Sequence, residues 1–257
     1  MRNLLLRLMY DGSAYHGWQV QPNGITVQEK LQNAIEQILG VRESVTGCSR
    51  TDSGVHARDF CCNIRTENEI DCYRFVGSLN AVLPDDISVK SCVEVSPDFH
   101  ARYDSDGKRY VYRVWNTNYK NPFLTRYAYH YKNTLDADFL NEQAQAYIGT
   151  HDFKGFCSSG SSVEDTVRTV RSFSVERQGE EVLFTVEADG FLYNMVRIMV
   201  GTLIEISENR IKKDTLKDII DSGDRMCAGR TAPPQGLYLD KVFYSEDKIS
   251  FNARQEG

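Results

Sequence analysis

The sequence predicts an α+β chain of two ferredoxin-like (βαββαβ) α/β sandwich domains with antiparallel sheets. Three observations predict it. Strand-length apolar runs are interleaved with stretches at helical spacing, in the order strand, helix, strand, strand, helix, strand across the first half. The second half repeats that order loosely. A length of 257 residues suits one or two packed domains better than three.

Asn3 to Tyr10 is short and apolar-rich and runs into Asp11-Gly12, which reads as a strand ending in a turn. Thr26-Val27-Gln28-Glu29 fits a helix-capping box ahead of Leu31, Ala34, Ile35, Ile38 and Leu39, and Gly40 stops that helix. Strand-like pieces follow at 43–48 and 60–66, then a helical stretch at 73–82 and a strand at 87–95 after Pro84-Asp85-Asp86. In the second half, 108–116 alternates as a strand and 138–148 reads helical. Residues 167–177 and 181–188 form a hairpin turning at Gln178-Gly179. Met195, Ile198, Met199, Thr202 and Leu203 lie at helical spacing within 191–206. A short extra helix is expected at 214–222 and a closing strand at 237–244. The expected domains are 1–104 and 105–247, joined near Asp104 to Gly107, with a C-terminal tail over 248–257.

Hydrophobic residues make up 41% and charged residues 26%, the balance of a globular rather than a disordered chain. Arg7 and Asp11 interrupt the opening run before a secretory core can form, and no apolar run approaches a membrane span, so a cytoplasmic protein without a membrane partner is expected. Seven cysteines, an odd number with no Cys-x-x-Cys pair, suggest neither a disulfide framework nor a structural zinc site and read as reduced thiols, mostly in the core. Five scattered histidines pair with no Cys or carboxylate at metal spacing, so no metal and no cofactor are assigned. The net charge of -6 argues against a surface that coats nucleic acid generally, so any RNA binding needs a local basic cleft. Arg50, Arg58, Arg102, Lys108, Arg109, Arg113, Arg168, Arg171 and Arg197 are the candidates, although each by itself reads as a solvated surface charge.

The densest polar cluster is Cys48-Ser49-Arg50-Thr51-Asp52-Ser53-Gly54-Val55-His56-Ala57, between two expected strands, where a loop projects side chains from a rigid scaffold. Gly54 permits a sharp turn after Asp52, and Arg50 and Thr51 are placed to orient the carboxylate. On pattern alone the cluster reads as a turn with an Asx cap.

The cluster resembles the Gly-Arg-Thr-Asp-x-Gly-Val-His-Ala signature of the TruA-type tRNA pseudouridine synthase family, and the resemblance continues along nearly the whole chain. Tyr10-Asp11-Gly12, Tyr15-His16-Gly17-Trp18-Gln19 and Thr26-Val27-Gln28 are similar to that family's opening segment. Leu79-Asn80 with Leu83-Pro84-Asp85-Asp86-Ile87, Phe99-His100-Ala101-Arg102 and Lys108-Arg109-Tyr110-Val111-Tyr112 follow in register. Gly149 to Phe153, Ala188 to Arg197 and Ala232 to Leu239 complete the series.

The resemblance implies conversion of uridine to pseudouridine in tRNA without a cofactor, at an active-site cleft between the two domains. It implies Asp52 as the nucleophile, attacking either C1′ of the ribose or C6 of the base. A carboxylate suits that task because it can stabilise a positively polarised sugar carbon and then leave. In a pocket that excludes water it needs an opposing cation to stay ionised, and the resemblance supplies Arg197. Tyr110 is implied as the aromatic residue that stacks on the uracil, its hydroxyl a candidate to remove the C5 proton. Arg50, Thr51, His56, Arg58, Arg102, Met195 and Leu237 are the further expected substrate contacts. Ser49 stands where the family has Gly, and Arg58-Asp59-Phe60 replaces a small residue, Gly and Gln; both departures lie on the rim of the loop. The expected targets are uridines on the 3′ side of the tRNA anticodon stem-loop (positions 38–40), with a paralogue acting on other tRNA or rRNA uridines as the alternative. A homodimer is expected from the same resemblance. The rival from another class is a non-catalytic module of two RRM-like sandwiches, disfavoured because the Lys/Arg-Gly-Phe/Tyr-Gly/Ala-Phe pattern of stacking strands is absent.

Overall fold

In the computed structural model, which describes residues 1–160 and 163–249, the chain packs as two compact units. The first is Met1–Asp106 together with the stretch from Leu239, and the second is Gly107–Tyr238.

The first unit opens β1 (Arg2–Tyr10), α1 (Val27–Leu39), β2 (Val45–Gly47), β3 (His56–Thr66), α2 (Cys72–Val82), β4 (Ile87–Val95). β1 is central because Leu4, Leu5, Leu6 and Leu8 are all buried, an apolar run that needs cover on both faces. It pairs antiparallel with β3 (Leu5 opposite Asn63) and with β4 (Leu5 opposite Val93), and β2 pairs with β3 through Val45 and Ile64. The order β4-β1-β3-β2 is that of a ferredoxin-like sheet. Thr26 caps α1 by accepting the Glu29 N–H at 3.3 Å, and Gly40 ends it in the left-handed region at φ 73°. Val27, Leu31, Ala34 and Ile35 form its buried stripe. The α2 cap is Asp71, whose carboxylate accepts from the amides of Tyr73 and Arg74.

The second unit runs β5 (Gly107–Trp115), β6 (Tyr129–His130), α3 (Ala137–Ala144), β7 (Gly149–Asp152), β8 (Val167–Gln178), β9 (Glu181–Ala188), α4 (Met195–Ser207), α5 (Leu216–Ser222). Its strands lie in the order β5-β9-β8-β7, with β6 parallel to β5. Gly179, at φ 61°, supplies the expected turn of the β8–β9 hairpin. α4 is apolar almost all round and correspondingly buried from Ile198 to Leu203. Its Gly201 is required by packing, since a β-carbon there would sit 1.8 Å from the Arg230 carbonyl oxygen.

Several boundaries differ from the sequence reading. β3 begins at His56 rather than near 60, and α4 begins at Met195 rather than 191 because Asn194 stands in the left-handed region at φ 62°. The helix expected over 138–148 is α3 followed by a tighter 3-10 turn over Gln145–Tyr147, and the short β6 and β7 were not anticipated. The largest difference is the closing strand β10 (Leu237–Phe243). It was expected in the second domain, yet from Leu239 it belongs to the first unit, beside β3. β2 covers only Cys62 to Ile64 of an 11-residue strand, leaving an open edge for β10 to fill, and Arg58 pairs there with Asp240 at 3.2 Å. The short α6 (Glu246–Ile249) follows, with Lys248 donating to Asp106 at 2.7 Å; the tail expected over 248–257 lies outside the described residues from 250 on.

Two substitutions test this packing. Gly201→Ala forces α4 away from the Arg230 carbonyl and is expected to lower unfolding free energy by about 3 kcal/mol, while Thr26→Ala removes one cap and costs about 1 kcal/mol. Chemical denaturation midpoints at unchanged m-value measure both, and equal effects would refute the ranking.

Candidate active site

The Asp52 loop leaves β2 at Gly47 and enters β3 at His56. It is held from behind by the segment that follows β1. Tyr10 and Thr51 share a hydroxyl-to-hydroxyl hydrogen bond at 2.9 Å. The Gly12 N–H donates to His56 Nδ1 at 3.1 Å, and a β-carbon on Gly12 would lie 2.0 Å from the Val55 carbonyl oxygen. The Tyr15 carbonyl accepts from Gly54 N at 3.3 Å and from the Ser53 hydroxyl at 3.2 Å. Trp18 N donates to the Thr51 carbonyl at 3.3 Å, and Gly17, at φ 85°, passes so close that a β-carbon would meet the same oxygen at 2.2 Å. The Trp18 ring stacks on Phe60 at 4.0 Å, tying the segment to the β3 core. Tyr15 donates to Asp86 at 2.5 Å, and burial, followed by that bond, raises its phenol pKa so that it stays a donor.

Within the loop, Val55 N donates to the Asp52 carbonyl at 3.2 Å, and Gly54 takes φ 76° as the turn requires. Asp52 is left half-buried at the apex, on a backbone fixed at both shoulders. Asp11 Oδ1 also lies 3.1 Å from the same His56 nitrogen, so both Asp11 and Gly12 face this ring. His56 and Thr51, expected as substrate contacts, are both buried and hold the loop to the Tyr10–Gly12 strand end.

The second unit gathers the other named residues around β5 and the start of α4. Tyr110 lies on β5 opposite Val186 of β9, only 7% exposed, with its ring edge-on to Phe191 at 5.0 Å. Asp189 anchors the turn before Phe191 by exchanging two hydrogen bonds with Thr169, at 3.0 and 3.1 Å. Arg197 clasps the chain ahead of β10. Its Nε donates to the Ala232 carbonyl at 2.7 Å, its own carbonyl accepts from Ala232 N at 3.0 Å, and its Nη1 donates to Asn194 Oδ1 at 2.6 Å. Tyr112, two positions after Tyr110, donates to the Pro233 carbonyl at 2.7 Å. Burial pushes that phenol well up, opposed by the nearby Arg197 guanidinium, so it too remains a donor. Met195 and Leu237 are buried apolar walls of this cluster.

Several of the basic candidates have an acidic neighbour or are buried. Arg109 pairs with Glu187, Arg113 grips Glu181 through two nitrogens, Arg58 pairs with Asp240, Arg168 faces Asp165, and Lys108 is buried. Arg50 and Arg102 are exposed and form no ion pair among the described residues. Sequence reasoning missed the buttressing roles of Tyr10, Gly12, Tyr15, Gly17 and Trp18, although all lie in motif blocks; only their contacts with the loop give the reason. Among the described residues no three His, Cys, Asp or Glu side chains form a metal-binding group, and no helix is long and apolar enough to cross a membrane.

Comparison with known proteins completes the picture. The family model described as tRNA pseudouridine synthase matches residues 8–104 and 143–245, which include the Asp52 loop and Arg197. Among curated relatives, tRNA pseudouridine synthase A of Acetivibrio thermocellus is 47% identical over 244 residues, covering 95% of this chain and 100% of that protein. The enzyme of the same name from Thermoanaerobacter sp. (strain X514) is 46% identical with the same coverage, and tRNA pseudouridine synthase A 2 of Clostridium perfringens is 43% identical. With this extent of match and a buttressed Asp52 loop, the chain belongs to the tRNA pseudouridine synthase family, enzymes that isomerise uridine to pseudouridine.

Proposed function

We propose that this tRNA pseudouridine synthase acts on uridines on the 3′ side of the anticodon stem-loop, with Asp52 as the attacking carboxylate. The observation that carries the assignment of Asp52 is its setting: a half-buried carboxylate at the apex of a loop whose backbone is pinned on both sides by Gly12, Tyr15, Gly17 and Trp18. Isomerisation breaks the glycosidic bond, turns the uracil within the pocket and rejoins C5 to C1′. The attacking oxygen must hold its place throughout, and misplacement by about 1 Å can cost a hundredfold in rate.

Tyr110 is the residue proposed to stack on the uracil, held by its T-shaped contact with Phe191. Arg197 is proposed to supply the cation that keeps Asp52 ionised. Its ties to Ala232 and Asn194 fix the guanidinium before substrate arrives. Arg50, Arg58 and Arg102 are proposed as contacts to the RNA backbone, and Met195 and Leu237 as apolar walls beside the base. The relatives named tRNA pseudouridine synthase A support the tRNA target, and the resemblance of the Asp52 motif supports the stem-loop position. We place the enzyme in the cytoplasm with its tRNA, working as a homodimer; sedimentation with and without tRNA measures the latter, and a monomer under both conditions refutes it.

Asp52→Asn keeps the shape of the side chain and removes its charge. It is expected to fold normally and to lose at least about a thousandfold in kcat on unmodified tRNA transcripts, read by pseudouridine detection at nucleotide resolution. Activity equal to wild type removes Asp52 from its role, and wild-type signal only outside the anticodon arm refutes the position. Tyr10→Phe deletes the hydroxyl that meets Thr51 while preserving the ring. It is expected to lower kcat several-fold with KM nearly unchanged, and a pure KM effect would contradict a positioning role.

A further inference from the structure

Arg102 stands in a turn with an architecture of its own. The His100 N–H donates to Asp104 Oδ2 at 2.7 Å, and the amides of Arg102 and Tyr103 converge on His100 Nδ1 at 3.1 and 3.3 Å. The amides of Tyr103 and Asp104 also reach the His100 carbonyl at 3.1 and 3.0 Å. The turn is fixed to the sheet of the first unit at Ala101. Its N–H donates to Asn63 Oδ1 at 3.0 Å, and its carbonyl accepts from the Tyr244 hydroxyl at 2.6 Å. On this base the rings of His100 and Tyr103 lie 4.3 Å apart at 34°, with the Arg102 guanidinium 5.8 Å from the Tyr103 centroid. Tyr103 nevertheless remains 75% exposed, and Arg102 has no carboxylate partner among the described residues.

Tyr73 on α2 is more exposed still, at 89%, yet has no ring partner among the described residues, which is the ordinary state of a surface tyrosine. Tyr103 is different because its ring is already ordered by His100 and the turn beneath it. The rotamer entropy that a binding event must otherwise remove is lost in folding. A largely exposed aromatic ring next to a guanidinium without a carboxylate partner among the described residues matches a nucleotide: the ring stacks on a base of any sequence, and the cation attracts its phosphate. An acidic peptide would satisfy the guanidinium but would leave the ring without a counterpart.

We propose that His100, Arg102 and Tyr103 form a stacking platform for an unpaired base of the tRNA substrate, a nucleotide other than the uridine being isomerised. The inference rests on the tRNA-modifying activity of the chain. Asn63, the anchor of the turn, lies seven strand positions beyond His56 on β3, which at about 3.3 Å each separates the platform from the Asp52 loop by about 20 Å. A contact so far from the reacting atoms strengthens ground state and transition state alike, so its loss appears in KM and Kd rather than in kcat.

The test uses the full chain and one unmodified tRNA transcript that the wild type converts, with Kd from filter binding alongside steady-state turnover. Tyr103→Ala is expected to raise Kd and KM by about 5- to 100-fold, with kcat within about twofold and an unchanged unfolding midpoint. Tyr103→Leu keeps apolar area without a π face and should behave like Ala, Tyr103→Phe should bind like the wild type, and Arg102→Gln should weaken binding and flatten its salt dependence. Tyr73→Ala is the control for loss of an exposed tyrosine and should change nothing. Unchanged Kd in Tyr103→Ala, or full rescue by Leu, overturns the platform. Failure of the wild type to modify any tRNA would overturn the enzymatic reading instead, and the Kd comparison still decides the platform in that case.

Discussion

The first unit depends on one constraint: the chain after β1 passes so close to the Asp52 loop that two of its positions can hold nothing larger than glycine. Gly12 faces the Val55 carbonyl and Gly17 the Thr51 carbonyl, each at a distance that excludes a β-carbon. With Tyr10, Tyr15 and Trp18 added, the loop is gripped by hydrogen bonds to the Thr51 and Ser53 hydroxyls and to the Thr51 and Gly54 backbone. The loop backbone is fixed by these contacts, with Asp52 half-buried at its apex.

The second unit applies the same economy differently. Arg197 binds two chain segments with one side chain, its Nε donating to Ala232 and its Nη1 to Asn194. Asn194 supplies the left-handed turn that starts α4 and also links Arg197 to Ser158, at 2.9 Å from the serine hydroxyl. Gly236 lets the chain ahead of β10 lie against the Tyr112 ring, and Tyr112 holds Pro233. The helix start, the strand β5 and the 232–237 segment are therefore tied together.

An acidic protein that handles RNA must distribute its cations selectively. Arg2, Arg7, Arg109, Arg113 and Arg230 are committed to Glu94, Asp59, Glu187, Glu181 and Glu208. Pairs of this kind staple strands and helices and present little net field to a polyanion. Arg50 beside the Asp52 loop and Arg102 on the His100–Tyr103 turn are exposed without such partners among the described residues. The net charge of -6 says nothing about where those two stand.

The sequence by itself determined most elements of the fold, because the relevant signals are local. Thr26 and Gly40 bracket α1, Gly179 turns the β8–β9 hairpin, and β4 runs over the expected 87–95. The motif around Asp52 likewise lies in consecutive residues, so the family and the reaction it resembles were legible there. What only the tertiary structure decided depends on partners distant in the chain. β10 joins the first unit because β3 has an edge that β2 leaves open, and no periodicity within 237–244 encodes that vacancy. His56 and Thr51, expected as substrate contacts, also meet Gly12 and Tyr10 more than forty positions away, a pairing that residue order does not encode. The platform at His100 and Tyr103 was equally hidden, because ring stacking and exposure are properties of packed surfaces and not of residue order.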